Sequence, residues 1–229
     1  CALCKPLVSV NYDMNSYLPD DSPSTIALDT MEKEFDGGIP NARVMIRDVT
    51  IPEALEYKET LQTGGQAAAR GGVTTICAMP NTKPVIDNGE KVLDVHCRAK
   101  EDSPVHVIQL GAITVGQQGE TLADIEGMAK AGCHAISEDG KSVMNASLYR
   151  RAMKIAKDND ISIFAHCEDI NLVNGGVMNQ DAHAAELGMK GITNSVEDII
   201  VARDIMLAKD TGVTLHLCHC STASSVLMV

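Results

Sequence analysis

Four short runs rich in β-branched and aliphatic residues begin at positions 73, 105, 133 and 161, so their starts lie 32, 28 and 28 residues apart. They read VTTICAM (73–79), VHVIQLGA (105–112), CHAIS (133–137) and ISIFAH (161–166). A fifth, VTLHLCH (213–219), follows a longer gap that holds the loop GGVMN and a short helix. A strand plus a crossover helix takes roughly 30 residues. This period confines the chain to a parallel sheet with helices packed on it, either doubly wound or a (β/α)8 barrel. The runs lack polar alternation, as strands buried on both faces do.

Helical segments fill the intervals. They are expected over 52–70, ending at Gly71-Gly72, then 89–100, 119–132 and 146–160. The last, 195–212, opens with Ser195 as N-cap and closes on Gly212. No GxGxxG or GxxxxGK[ST] follows a strand, so neither a dinucleotide nor a P-loop site is indicated. The first 40 residues, with NYDMNSYLPDDSPST, read as the remnant of a small β domain or an irregular tail, and 41–229 as the α/β domain.

Lys and Arg number 19 against 31 Asp and Glu, a net charge of −12, so no basic surface for nucleic acid is expected. No run approaches the roughly 18 apolar residues of a membrane span. Aromatics are 3% and Trp is absent, so the core must be aliphatic. Eight cysteines are present, most within strand-like runs, and no signal peptide is visible; free thiols in a cytoplasmic protein are expected. Cys1 and Cys4 have CxxC spacing without a second pair at zinc-ribbon distance. The start at Cys1 and the apolar stretch at Val229 lead us to expect a piece of a longer protein, inactive alone.

Chemistry-bearing residues gather where the strand runs end. CHAIS leads into Glu138-Asp139-Gly140, ISIFA into His166-Cys167-Glu168-Asp169, VTLHLC into His219-Cys220, and ICAM into Pro80-Asn81. Ligands of parallel α/β folds sit at the carboxyl ends of the strands. Asp139, His166 and His219 should therefore meet at one mouth, and their O and N donors suit Zn²⁺. His216, three before His219, should point to the other face of its strand. His96, His106, His134 and His183 carry no site signal.

The segments GGVTTICAMPNTKPVIDN (71–88), SEDG (137–140), AHCEDINLVNGGVMN (165–179), ELGMKGITNSVEDIIVARDIMLA (186–208) and HLCHCSTASSV (216–226) resemble bacterial dihydroorotases of the amidohydrolase superfamily. The resemblance runs from about Glu56 to the end. It implies an incomplete (β/α)8 TIM barrel of about six strands out of eight, with one or two Zn²⁺ ions. It further implies that Asp139 is the metal-bridging carboxylate, that His166 and His219 are metal ligands, and that Asn81 and Arg47 bind substrate. A zinc-activated water would open the ring of dihydroorotate, or the reverse reaction would close carbamoyl-aspartate, a step of pyrimidine biosynthesis. The family's final metal-binding Asp, which acts as base, would follow Val229. The resemblance also allows a homodimer, or association with aspartate carbamoyltransferase.

One departure stands out. The family carries HxH and an Arg on its first barrel strand, whereas here the segment before EYKET (56–60) reads NARVMIRDVTIPEAL (41–55). Aligning RVMIRD (43–48) with the family's HVHFRD puts Arg43 and Met45 at the ligand positions and keeps Arg47. Two other readings remain: a related hydantoinase, dihydropyrimidinase or allantoinase, or a non-catalytic scaffold subunit. Asp139, where many of those relatives use a carbamylated Lys, favours dihydroorotase.

Overall fold

A computed structural model describes residues 60–229. The 1–40 segment, the boundary at 40/41, Cys1, Cys4, Arg43, Met45 and Arg47 lie outside the described residues.

The first helix, α1 (Leu61–Arg70), begins at a reciprocal cap in which Thr60 and Thr63 each accept the other's backbone N–H. It carries the 61–70 part of the helix expected over 52–70, whose first eight residues, 52–59, lie outside the described residues. The alternation then runs β1 (Thr75–Ala78), α2 (Gly89–Asp102), β2 (His106–Gln109), β3 (Gly111–Ala112), α3 (Ile125–Lys130), β4 (Ala135–Ser137), α4 (Ala146–Asp158) and β5 (Ser162–Ala165). An excursion follows with α5 (Ile170–Val173), β6 (Met178–Asn179), α6 (Ala182–Glu186) and β7 (Gly191–Ile192), before α7 (Ser195–Thr211), β8 (Leu215–Leu217) and α8 (Ala223–Met228).

The five strand runs of the sequence form parallel pairs in chain order. β1 lies beside β2 with Thr75 opposite His106, and β3, β4, β5 and β8 follow one another in a second ladder. The 105–112 run is expected to be one strand, but it divides at Leu110. Leu110 N–H still donates to Ala78 O at 2.9 Å, whereas Ala112 N–H turns to Ile86 O at 2.7 Å, and Gly111 pairs with Ile136 of β4. A side chain at Gly111 would occupy the space of the Met128 thioether, so its lack of a Cβ lets α3 press onto the strand where it changes partners.

Burial on both faces holds for β3 and β4, whereas β1 and β8 each expose one face. The core is aliphatic as composition demands: Val92, Leu110, Ile113, Met128, Ile136, Met153, Ile163 and Val201 are buried. The helix expected over 119–132 is shorter, because Thr114 and Leu122 form an antiparallel bridge and Asp124 caps the helix through Gly127 N–H. The N-cap of α7 is Asn194 rather than Ser195, and Gly212 closes the helix as expected. Among the described residues no helix is long and apolar enough to cross a membrane.

Candidate metal centre

β4, β5 and β8 are adjacent and parallel, so their carboxyl ends open side by side. The loops that leave these three strands carry Asp139, His166 and His219, and one ligand atom from each lies within 4.8 Å of the others. Asp139 and His166 are half-buried and His219 is exposed. Nδ1 of His166 faces Nε2 of His219 at 3.0 Å, with the rings at 72° to each other. One carboxylate oxygen and two imidazole nitrogens converging this way fit a zinc-type ion: three protein donors with a position left for water or substrate is the usual catalytic set.

Each donor is held by a neighbour. Asn81, beyond β1, donates through Nδ2 to Oδ2 of Asp139 at 2.7 Å. Gln117 Nε2 donates to the backbone oxygen of Asp139 at 3.3 Å. Gly140, with φ of 74°, turns the chain sharply just after Asp139. Nε2 of His166 meets Glu168 Oε2 at 3.3 Å. Ser142 ties the same loop, donating to His166 O at 2.7 Å and accepting from Glu168 N–H at 3.1 Å.

His219 adopts φ of 39°, a left-handed conformation that costs a non-glycine residue energy unless its surroundings enforce it. Glu197, in the first turn of α7, supplies that enforcement. Its carboxylate accepts from Ser221 N–H at 2.9 and 3.0 Å and from Thr222 N–H at 3.0 Å. Burial alone would raise the Glu197 carboxyl, but hydrogen bonds from Ser225, Ser221 and Thr222 outweigh it and hold the group below its ordinary range. Asp198 accepts from the hydroxyls of Thr222 and Ser225.

Glu138, next to Asp139 in sequence, is buried. It accepts from the backbone N–H groups of Ile113 and Thr114, both at 3.1 Å, and from the Thr114 hydroxyl. Burial pushes its carboxyl up from the ordinary range against these hydrogen bonds. The group fastens the exit of β3 to the tip of β4.

Sequence reading therefore placed Asp139, His166, His219 and Asn81 together, and the structure brings these four into one cluster. It did not single out Glu138, Ser142, Gln117, Glu168 or Glu197. Only Glu168, inside the HCED run, and Glu197, an acidic residue in a first helical turn, carried any local signal. His216 packs on Phe164 of β5, with ring centroids 4.5 Å apart, as a cross-strand pair. His96 accepts from Gln109 N–H at 3.3 Å.

A family model described as "Dihydro-orotase-like" matches residues 43–225. The chain belongs to the dihydroorotase-like family. Among curated proteins, this dihydroorotase-like chain is 47% identical over 174 residues to a dihydroorotase of Caldicellulosiruptor saccharolyticus, covering 76% of this chain and 40% of that one. It is 41% identical over 211 residues to a dihydroorotase of Citrifermentans bemidjiense, covering 92% and 48%. The chain thus spans less than half the length of these relatives. Among solved structures, an L-hydantoinase (dihydropyrimidinase) from Arthrobacter aurescens superposes with a TM-score of 0.57 at 20% identity, over 74% of this chain and 39% of that one. A Saccharomyces cerevisiae dihydroorotase in complex with 5-fluoroorotic acid superposes with a TM-score of 0.54 at 15% identity, over 72% and 45%. At these identities the likeness is one of fold alone, that of part of a (β/α)8 barrel.

Proposed function

We propose that the protein to which this chain belongs is a zinc-dependent dihydroorotase, interconverting dihydroorotate and N-carbamoyl-L-aspartate in pyrimidine biosynthesis. The observation that carries this reading is the convergence of Asp139, His166 and His219 within 4.8 Å in a chain of this family. In the hydrolytic direction water adds across one ring amide. The C–N bond breaks, the carbonyl carbon becomes a carboxylate with release of a proton, and the nitrogen leaves as the ureido NH₂.

Asp139, His166 and His219 would hold the ion. Zinc, when bound, polarises a carbonyl and lowers the pKa of water toward about 7. Asn81 spends one amide hydrogen on Asp139, which leaves its carbonyl oxygen and second hydrogen for the substrate ring. Arg47 is assigned to the substrate carboxylate by motif; a guanidinium fork matches a carboxylate in two-point geometry. We assign the cytoplasm as its compartment, a reading supported by the six described cysteines, all free thiols.

The test is turnover of dihydroorotate against dihydrouracil and allantoin by the complete protein. Preference for dihydroorotate is expected, and preference for either of the others would move the protein to a different branch. One observation favours a second reading, that of a non-catalytic barrel subunit: no histidine precedes His96, so the segment before EYKET has no HxH pair. Zinc analysis separates the two, since a scaffold should retain little metal whether or not His166 is intact.

A further inference from the structure

The zinc reading leaves open what selects the nitrogen that His166 presents. An imidazole can ligate through either nitrogen, and the hydrogen bond made by the other decides which one. Here the two nitrogens face different partners: Nδ1 points at Nε2 of His219, 3.0 Å away, and Nε2 points at the Glu168 carboxylate, 3.3 Å away. The carboxylate is itself fixed. Glu168 N–H donates to Ser142 Oγ, whose hydroxyl donates back to the carbonyl of His166, so one buried serine locks the two-residue step from ligand to carboxylate. Both side chains are partly shielded, at 20% exposure for His166 and 31% for Glu168.

We propose that Glu168 is a positioning residue for the metal centre. It accepts the Nε2 proton of His166, holds the ring in the Nε2–H tautomer and so keeps the Nδ1 lone pair aimed at the point where Asp139 and His219 converge. In the metal-free chain that lone pair accepts from Nε2–H of His219. This rests on the zinc reading of the centre, but its first readout does not need the metal.

The experiment uses the 229-residue chain, with Glu168→Ala, Glu168→Gln and His166→Ala beside the wild type. Long-range ¹⁵N–¹H spectra of the metal-free proteins at about pH 8, above the ordinary histidine range, report the His166 tautomer. Competition with a chromophoric chelator reports Zn²⁺ affinity. We expect the Nε2–H tautomer in the wild type and a mixed or Nδ1–H form in Glu168→Ala. We expect zinc affinity to fall by about 10–100-fold in Glu168→Ala, with partial recovery in Glu168→Gln, whose amide oxygen can still accept. An unchanged tautomer in Glu168→Ala overturns the proposal, as does wild-type zinc affinity. Wild-type chain that binds zinc no better than His166→Ala overturns the zinc reading instead, while the tautomer spectra still decide the role of Glu168. Far-UV circular dichroism of each variant checks that it folds.

Discussion

Asn81 and Asp139 are joined side chain to side chain at 2.7 Å, across 58 residues of sequence. The bond links the loop after β1 to the loop after β4 and leaves the second carboxylate oxygen of Asp139 free. Hydrogen bonds to a charged partner contribute about 1.5–3 kcal/mol, and outer partners of metal ligands typically change affinity by about 10–100-fold. Asn81→Ala should therefore weaken zinc binding within that range, read by chelator competition. Asn81→Asp, which sets a second carboxylate against the first, should also lose the bond. Unaltered zinc affinity in both would remove Asn81 from the support of the centre.

Loss of a donor should be harsher than loss of a support. Asp139→Ala and His166→Ala are each expected to lower zinc affinity by more than about 100-fold, beyond the range of outer partners, and to abolish metal-dependent turnover in the complete protein. His216→Ala is the control, because His216 packs on Phe164 and not on the cluster. Normal zinc content with retained activity in either ligand variant would refute the assigned roles.

The Glu197 clamp predicts a pH dependence. Its carboxyl sits below the ordinary range in the folded chain, so the folded state favours the ionised form. The stability this contributes is present above the unfolded value, about 4.3, and is lost as pH falls through the depressed folded value. Melting curves in chelator across that window should show wild type losing stability more steeply than Glu197→Gln. At neutral pH Glu197→Ala should cost about 1.5–3 kcal/mol. Parallel acid profiles for wild type and Glu197→Gln would show that the clamp carries no charge-dependent stability.

Asp204, only 1% exposed, pairs with the guanidinium of Arg203 at 2.7 and 2.8 Å. Burial raises its carboxyl, while Arg203, Tyr149 and Cys167 pull the other way. Arg203 in turn donates to Val143 O at 2.8 Å and lies over the Tyr149 ring at 5.0 Å. Asp204→Ala strands a largely buried guanidinium, and breaking such a pair costs about 3–5 kcal/mol. Urea unfolding should show a lower midpoint at an unchanged slope. A shift under about 1 kcal/mol would mean that Arg203 finds another partner.

Much of this is legible in the sequence. The 28- to 32-residue period marks the βα units, and the strand-end positions of Asp139, His166, His219 and Asn81 follow from it. Less legible were the ends of elements. Thr60 caps α1 reciprocally with Thr63, and the Thr114–Leu122 bridge shortens α3. Local propensity reads 119–124 as helix, and the bridge from Leu122 back to Thr114 overrides it. Likewise the 105–112 run reads as one strand, because nothing local shows that Ala112 N–H will leave β1's side for Ile86 O.

The amino-acid sequence by itself determined the order of strands and helices, the aliphatic core and the residue types that end three neighbouring strands, since each depends on spacing and side-chain chemistry along the chain. Only the tertiary structure decided which atoms of those residues meet. The pairing of Asn81 with Asp139, the nitrogen that His166 turns toward His219, the grip of Glu197 on a loop 24 residues away and the burial of Asp204 depend on sheet register and helix packing. Those are settled by contacts between distant segments, and a linear pattern carries no record of them.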